Sequence, residues 1–378
     1  MTFPQVTIQQ LNTRQGGARE IARTLLMVGI HGTAIAPTPV TPQTDLDVLL
    51  GTDASPLRHN LQAFLDNAGQ NSFIWLTAIT EPAEGTKRVD VWSKAVLDAQ
   101  QTLSVEGVVV VLPDSTVADI NKAQELRTQL VNQWQRRTWF LLAVRGINDT
   151  EQWAEYVTTM TALTKGIAAD AVQVTPQLYG NEPGMLAGRL CNLSVTLADS
   201  PARVATGALV NPGRDTTPAD ADGRPLGIDT LKALAMARFS VPMWYPDYEG
   251  LYWADGLTLD VDGGDYQAIE YLRVADEMAR QVRLLAIPKI ADRALNSTPS
   301  SVAAHEQYFM KPMREAARSM KINGIVFPGL CMSPRDGDVQ ISWPKKDKVQ
   351  IAMVVRPYNC PKDITVSIML DENGEQTS

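Results

Sequence analysis

Short apolar runs recur through the first half of this chain, each separated from the next by a longer stretch with helical spacing. That alternation limits the possible folds more than any other feature. Residues 24–30 (TLLMVGI), 73–79 (FIWLTAI), 107–112 (GVVVVL), 138–144 (TWFLLAV) and 171–174 (AVQV) are rich in β-branched and aromatic side chains and have the length of buried strands. Between and after them, residues 57–67, 89–99, 117–135, 151–167 and 184–197 carry helical patterns. Strands joined through helices need crossover connections, so the order predicts βαβ units and a mainly parallel sheet. Residues 36–42 (APTPVTP) read as a stiff extended loop. Turn formers crowd residues 211–225, which predicts a long surface excursion.

Past that excursion the pattern changes. Residues 235–243 and 250–260, a helix over 266–285, a broken helix over 300–320 and strands at 324–327, 339–343 and 349–356 describe a smaller α+β unit. A length of 378 residues exceeds one small core, and 44% hydrophobic content is ordinary for a globular chain, so two domains are expected.

The two ends share a design. Residues 363–371 alternate apolar and polar, with Ile364, Val366, Ile368 and Leu370 on one face, behind a linker bounded by Pro357 and Pro361. Residues 3–9 alternate too, with Val6 and Ile8 on one face, and Gly16-Gly17 separates them from the first buried strand. A short strand on a flexible joint either closes its own sheet or is lent to another subunit. Two of them suit a polymer.

Forty-two acidic against thirty-four basic residues give a net charge of −8, which disfavours a nucleic-acid partner. Cys191, Cys331 and Cys360 are odd in number and far apart, fitting a reducing compartment and no disulfide framework. No signal-peptide pattern opens the chain and no apolar run has the length to cross a bilayer, so cytosolic synthesis without membrane insertion is expected.

Candidate chemistry is sparse. Asp260, Asp262 and Asp265 with Glu270 invite a calcium reading, but glycine falls one position early and Tyr271 stands where a bidentate Glu belongs. A tight turn with Asp265 capping a helix from Tyr266 accounts for them better, and Asp220-Ala221-Asp222-Gly223 reads the same way. His31, His59 and His305 are the only imidazoles, and no nucleophile elbow, zinc-protease or phosphate-loop motif accompanies them. The strand end at Asp114 and Ser115 occupies a place where open α/β sheets bind ligands, yet it lacks phosphate-cradling glycines, so a helix cap from one of the two is expected. These features expect no catalytic residue, no metal and no cofactor. The rival is a nucleotide- or metal-dependent α/β enzyme with a pocket near Asp114 or His31. Lys311, Arg314, Arg318 and Lys321 recur at steps of three, four and three, which on one helix forms a basic stripe opposite Met313, Ala316, Ala317 and Met320, with Pro312 at the helix start. The stripe reads either as a dock for an acidic partner or as an ordinary solvated face.

Taken in order, these residues resemble the contractile tail sheath proteins of bacteriophages and tailocin-type particles. The opening third carries Val28-Gly29, the Pro39 and Pro42 loop, residues 46–51, a helix ending at 64–69 and the aromatic strand 73–76. The last third carries 238–242 (RFSVP), 250–256 (GLYWADG), the helix with 271–274 (YLRV), and Arg356-Pro357-Tyr358 followed by 363–370. The resemblance implies an α/β outer domain with a mainly parallel sheet, a smaller α+β inner core domain, and extended N- and C-terminal β arms. The corresponding spans are an N-terminal arm 1–19, outer domain 20–235, inner core 236–360 and C-terminal arm 361–378. It further implies a non-enzymatic protein of stacked six-fold rings around an inner tube, with arms exchanged between copies. Baseplate and tail terminator proteins are the implied partners, and the virion tail the implied location after assembly in the host cytoplasm. It places Lys311, Arg314, Arg318 and Lys321 toward the tube. A headless bacteriocin particle or a secretion apparatus stays open beside a virus.

Overall fold

The computed structural model describes residues 21–368. The apolar runs become β1 (Leu25–Ile30), β2 (Ile35–Val40), β3 (Ile74–Ile79), β4 (Gly107–Val111), β5 (Trp139–Val144) and β6 (Val172–Pro176), in the order β2-β3-β1-β4-β5-β6. From β3 to β6 every pairing is parallel. The helices between them are α1 (Leu46–Leu50), α2 (Pro56–Ala68), α3 (Arg88–Thr102), α4 (Val117–Trp134), α5 (Trp153–Thr164) and α6 (Glu182–Cys191).

Alternate side chains divide the sheet into two faces, as the pleat requires. Leu26, Val28, Val110 and Phe140 face α3, α4 and α5, whereas Met27, Leu76, Val109 and Leu141 face α2 and α6. Helices α2 and α6 come close because Gly184 and Gly188 carry no Cβ. One built at Gly184 would lie 2.1 Å from the Asn60 carbonyl oxygen, and one at Gly188 would lie 2.6 Å from that of Phe64.

One strand of this sheet departs from expectation. Residues 35–40 form an edge strand antiparallel to β3 rather than a loop, with a register irregularity between Ile35 and Thr38. Pro37 and Pro39 are tolerated there because an edge strand has one side free of ladder bonds, and they blunt that edge against further pairing. At the other edge the backbone of Leu259 bonds to Ala169 and Val172, and Ser240 donates to Val174, so β6 is covered. Arg238 holds this cover, its guanidinium donating to the carbonyls of Thr164, Ile167, Leu259 and Asp260. The 211–225 excursion is a surface loop, with a tight turn where Asp220 accepts from the backbone N–H groups of Asp222 and Arg224.

Neither expected acidic cap is used. The cap of α4 is Thr116, whose backbone N–H donates to Asp119 at 2.9 Å, while Ser115 turns back to the Leu112 carbonyl and Asp114 meets Arg88 at 3.3 Å. Threonine followed three residues later by an acid makes a reciprocal box that a lone Asp or Ser cannot match. Likewise the helix expected from Tyr266 begins at Ile269, because Asp260 accepts from Val261 and Tyr266 and keeps residues 260–266 in a turn.

The remaining elements are α7 (Ile228–Met236), the hairpin β7 (Pro242–Tyr245) and β8 (Tyr248–Trp253), α8 (Ile269–Ala286), α9 (Pro299–Phe309), α10 (Lys311–Ala316), the hairpin β9 (Met320–Ile322) and β10 (Ile325–Phe327), and the hairpin β11 (Val339–Lys345) and β12 (Lys348–Met353). Helix α8 belongs to two cores. Ile269 and Leu272 pack under the main sheet, while Met278 and Val282 join Phe309, Met313, Val339 and Ile341 in a separate cluster. No helix among the described residues is long and apolar enough to cross a membrane.

Two ion pairs fasten α8 to the α/β half, one at the sheet and one at α4. Arg273 reaches Glu106 at the start of β4, Nε to Oε1 at 2.5 Å and Nη2 to Oε2 at 3.1 Å. Asp276 accepts both guanidinium nitrogens of Arg127 on α4 at 2.6 and 2.8 Å. Burial alone raises the Glu106 pKa, but the charge and hydrogen bonds of Arg273 and the backbone N–H of Arg23 outweigh it and hold the carboxylate below its usual range. Removing one partner leaves the other charge buried and alone, so Glu106→Gln is expected to cost roughly 3–5 kcal/mol in denaturant unfolding, far more than an exposed pair. Because the folded-state pKa is lowered, this contribution is present above the ordinary glutamate value and fades as pH falls through the lowered one. The wild-type and mutant unfolding curves should converge in acid.

Candidate inter-subunit surfaces

Beyond β12 the chain is held at successive points. Val354 donates to the Asp338 carbonyl and Met332 to that of Arg356. The Arg356 guanidinium grips both carboxylate oxygens of Asp338, one of them at 2.7 Å, and this bond is the main reason that the Asp338 pKa lies below its usual range. Cys360 Sγ lies 3.9 Å from the Ala198 carbonyl. Lys362 Nζ then meets Asp255 and, at 2.9 Å, Glu270 Oε1 in the first turn of α8. Burial raises the Glu270 pKa, with Lys362 pulling the other way. For Lys362, burial disfavours the charge, but Glu270 and Asp255 outweigh it and keep the ammonium above its ordinary value.

From residue 363 the character of the segment changes. Ile364, Val366 and Ile368 are 76%, 75% and 85% exposed, and residues 363–368 pair with no strand among the described residues. Three branched aliphatics in water on a polar-alternating segment form an unpartnered apolar face. Val6, Ile8 and Leu370 lie outside the described residues.

A strand edge also lies open on the last hairpin. Val354 donates to Asp338, so the narrow bonded pairs of the last hairpin run through 340↔352 and 342↔350. The N–H and C=O groups of Ile351 and Met353 therefore point to the opposite side of β12. On β11 the equivalent Ile341 N–H is used by Glu306 of α9 at 3.2 Å. No strand among the described residues pairs with the outer side of β12.

The four basic residues do not share a helix. Lys311 and Arg314 are on α10, Arg318 is in the bend after it, and Lys321 is on β9. The helix ends because Asn323 and Gly324, both at positive φ (49° and 86°), set the tight hairpin turn that draws residues 320–322 into a strand. All four side chains are nonetheless exposed, with Met313 buried beneath them. Lys311 lies 3.8 Å from Glu315, and Arg314 donates to Gln307. The adjoining hairpin exposes Ile325 and Val326.

The catalytic candidates are dispersed. His31 follows β1 and its backbone donates to Ile79, His59 is exposed on α2, and His305 is buried on α9 with Nδ1 2.9 Å from the Ser301 carbonyl. Among the described residues no group of three His, Cys, Asp or Glu side chains could hold a metal ion. Glu270 faces Lys362 rather than the Asp260 turn. The Lys362 anchor was missed in the sequence. Its one signal was an acidic residue at a buried phase of α8, and that does not reveal the partner.

Residues 3–257 match the family model described as DUF2586, N-terminal domain, and residues 265–373 match DUF2586, C-terminal domain. A protein of Haemophilus phage HP1 (strain HP1c1), provisionally named as a tail sheath protein, is 48% identical over 98% of both chains. A chain from the baseplate of the anti-feeding prophage shares the fold with a TM-score of 0.58 at 12% identity, covering 98% of this chain and 99% of its own. A sheath tail protein from Listeria innocua has a TM-score of 0.56 at 9% identity, covering 90% and 93%.

Lys362→Met is expected to leave the Glu270 carboxylate buried and unpaired and to release the linker. Limited proteolysis between residues 357 and 368 should accelerate several-fold relative to the body of the protein. Equal rates in mutant and wild type would show that the anchor does not hold the linker.

Proposed function

This chain belongs to the tail sheath protein family, a family of structural tail components and not of enzymes, and from that premise we propose that it polymerises as stacked six-fold rings around an inner tube and contracts to drive the tube through the target cell envelope. The observation that carries the reading is the exposed apolar face of Ile364, Val366 and Ile368 immediately beyond the Lys362 anchor. Such a face is covered when the segment adds as a strand to a neighbour, and the open side of β12 is the matching edge. The N-terminal segment with Val6 and Ile8 plays the same part at another neighbour. The six-fold symmetrised baseplate that contains a chain of the same fold supports the ring order, and the Haemophilus phage relative favours a virion tail over a headless particle or secretion apparatus.

The energetics suit reversible assembly. Ordering about nine residues costs on the order of 9–18 kcal/mol of backbone entropy. Burying four aliphatic side chains returns roughly 6–12 kcal/mol, and about six ladder bonds add about 3–9 kcal/mol. One arm is near neutral, so rings form when several weak contacts are made together.

In this reading residues 20–235 are the outer domain, 236–360 the inner core, and 1–19 and 361–378 the arms. Lys311, Arg314, Arg318 and Lys321 form a basic patch from helix, bend and hairpin that docks an acidic tube surface, while baseplate and terminator proteins hold the ends of the polymer. Deleting residues 363–378 should abolish polymer formation while leaving the thermal unfolding of the protomer unchanged; tubes of normal length in electron micrographs would refute arm exchange. Arg314→Glu with Arg318→Glu should leave sheath self-assembly intact but reduce co-sedimentation with tube about ten-fold or more, an effect that salt should mimic.

A further inference from the structure

A groove of about 780 Å³ runs between α8 and the chain leaving β12. Tyr271, Met278 and Val282 line one wall, and Ile351, Met353 and Val355 the other. A third strand beside β12 would lay alternate side chains over this floor, on the face already used by Ile351 and Met353. The two ends of the groove differ in charge. Asp265 stands near the start of α8, whereas Arg137 and Arg283 stand toward its later turns, where an adjoining cavity of about 430 Å³ adds Arg136 and Arg280. Arg137 and Arg280 have the carboxylates of Asp276 and Glu277 beside them. Arg283 is exposed, and no acid pairs with it among the described residues. Arg136 is held to the carbonyls of Gln100 and Leu103. Burial and then the like charge of Arg283 lower the Arg136 pKa.

The chain's own segment does not fill the groove, since Ile364, Val366 and Ile368 are in water. The two ends of a second copy differ in charge. Residues 1–20 hold Arg14, Arg19 and Glu20, whereas residues 363–378 hold Asp363, Asp371, Glu372 and Glu375 and no base. We propose that this groove takes the C-terminal segment of a second copy, running antiparallel to β12, with Ile364, Val366, Ile368 and Leu370 on the apolar floor and Glu372, on the same face, clamped by Arg283 and its neighbouring arginines, while Asp371 adds its charge at the same end. Direction follows from the chain path. β12 and its linker run from Ile351, in one cluster with Val282, to the Lys362 anchor on Glu270, so an antiparallel strand finishes with Asp371, Glu372 and Glu375 at the arginine end and only Asp363 toward Asp265, whereas a parallel one would set those three acids against Asp265. The clamp rests on the donated-arm reading and adds to it which arm enters, in which direction, and what fixes the register.

The test is a charge exchange in the full-length chain, read as the critical concentration for polymerisation by sedimentation. Arg283→Glu alone and Asp371→Lys with Glu372→Lys alone should each raise it about five- to ten-fold. The combined reversal should return it to within about two-fold of wild type. Each single effect should shrink at high salt. The tail variant leaves residues 21–368 unchanged, so it remains informative if Arg283→Glu perturbs folding. Unchanged critical concentrations in the single variants, or no recovery in the combination, overturn the clamp. Deleting residues 363–378 separates the two ideas: if the deletion abolishes assembly and the charge variants do not affect it, arms are exchanged without a clamp, and if the deletion assembles normally, arm exchange itself fails.

Discussion

The architecture depends on one helix serving two cores. Three charged residues of α8 at steps of three, Glu270, Arg273 and Asp276, project toward different segments and hold each by an ion pair: Lys362 of the C-terminal linker, Glu106 at the start of β4 and Arg127 of α4. Burying these charges is expensive, and aliphatic residues in their place would pack as well or better. What apolar packing would not supply is a rotational setting. A helix greased on all sides can turn or slide, while three pairs aimed in different directions fix both its rotation and its axial position. The α9–α10 cluster and the last hairpin are thereby placed relative to the main sheet.

The linker is accordingly stiffer than its sequence suggests. Proline at 357 and 361 between two strand-like runs reads as a joint about which bodies could rotate. In the structure their neighbours Arg356, Cys360 and Lys362 are tied down at Asp338, at the Ala198 carbonyl and at the carboxylates of Asp255 and Glu270. The last of these ties among the described residues is Lys362, so a pull on the linker acts on α8. The ammonium lies between two carboxylates, Asp255 and Glu270, which keep it charged despite burial, and this pairing is what holds the linker on α8.

Much of the α/β half was legible because its signals are local. Runs such as Val108–Val111 and Phe140–Val144 can hardly be other than buried parallel strands, and the helices between them follow from period alone. Local chemistry misled where two signals competed. Pro37 and Pro39 argued against a strand, but an edge tolerates them. The step of three and four through Lys321 argued for one long helix, but the Asn323-Gly324 turn claims the last residues for a hairpin. Asp265 and Asp114 looked like caps, but Asp260 and the Thr116–Asp119 box hold the backbone instead. The charged contacts of α8 were unreadable for a different reason. Their partners lie 92 to 167 positions away, at 362, 106 and 127, and no periodicity encodes such a distance.

Anchoring the chain at Lys362 also turns the arm into a ruler. The eight residues from Asp363 to Leu370 span at most about 26–29 Å when fully extended. In the arm exchange proposed above, the acceptor edge lies within that radius of a fixed point on the donor's α8. In that proposed arrangement protomers tilt and rotate within this sphere, and separating beyond it breaks either a ladder or a buried ion pair.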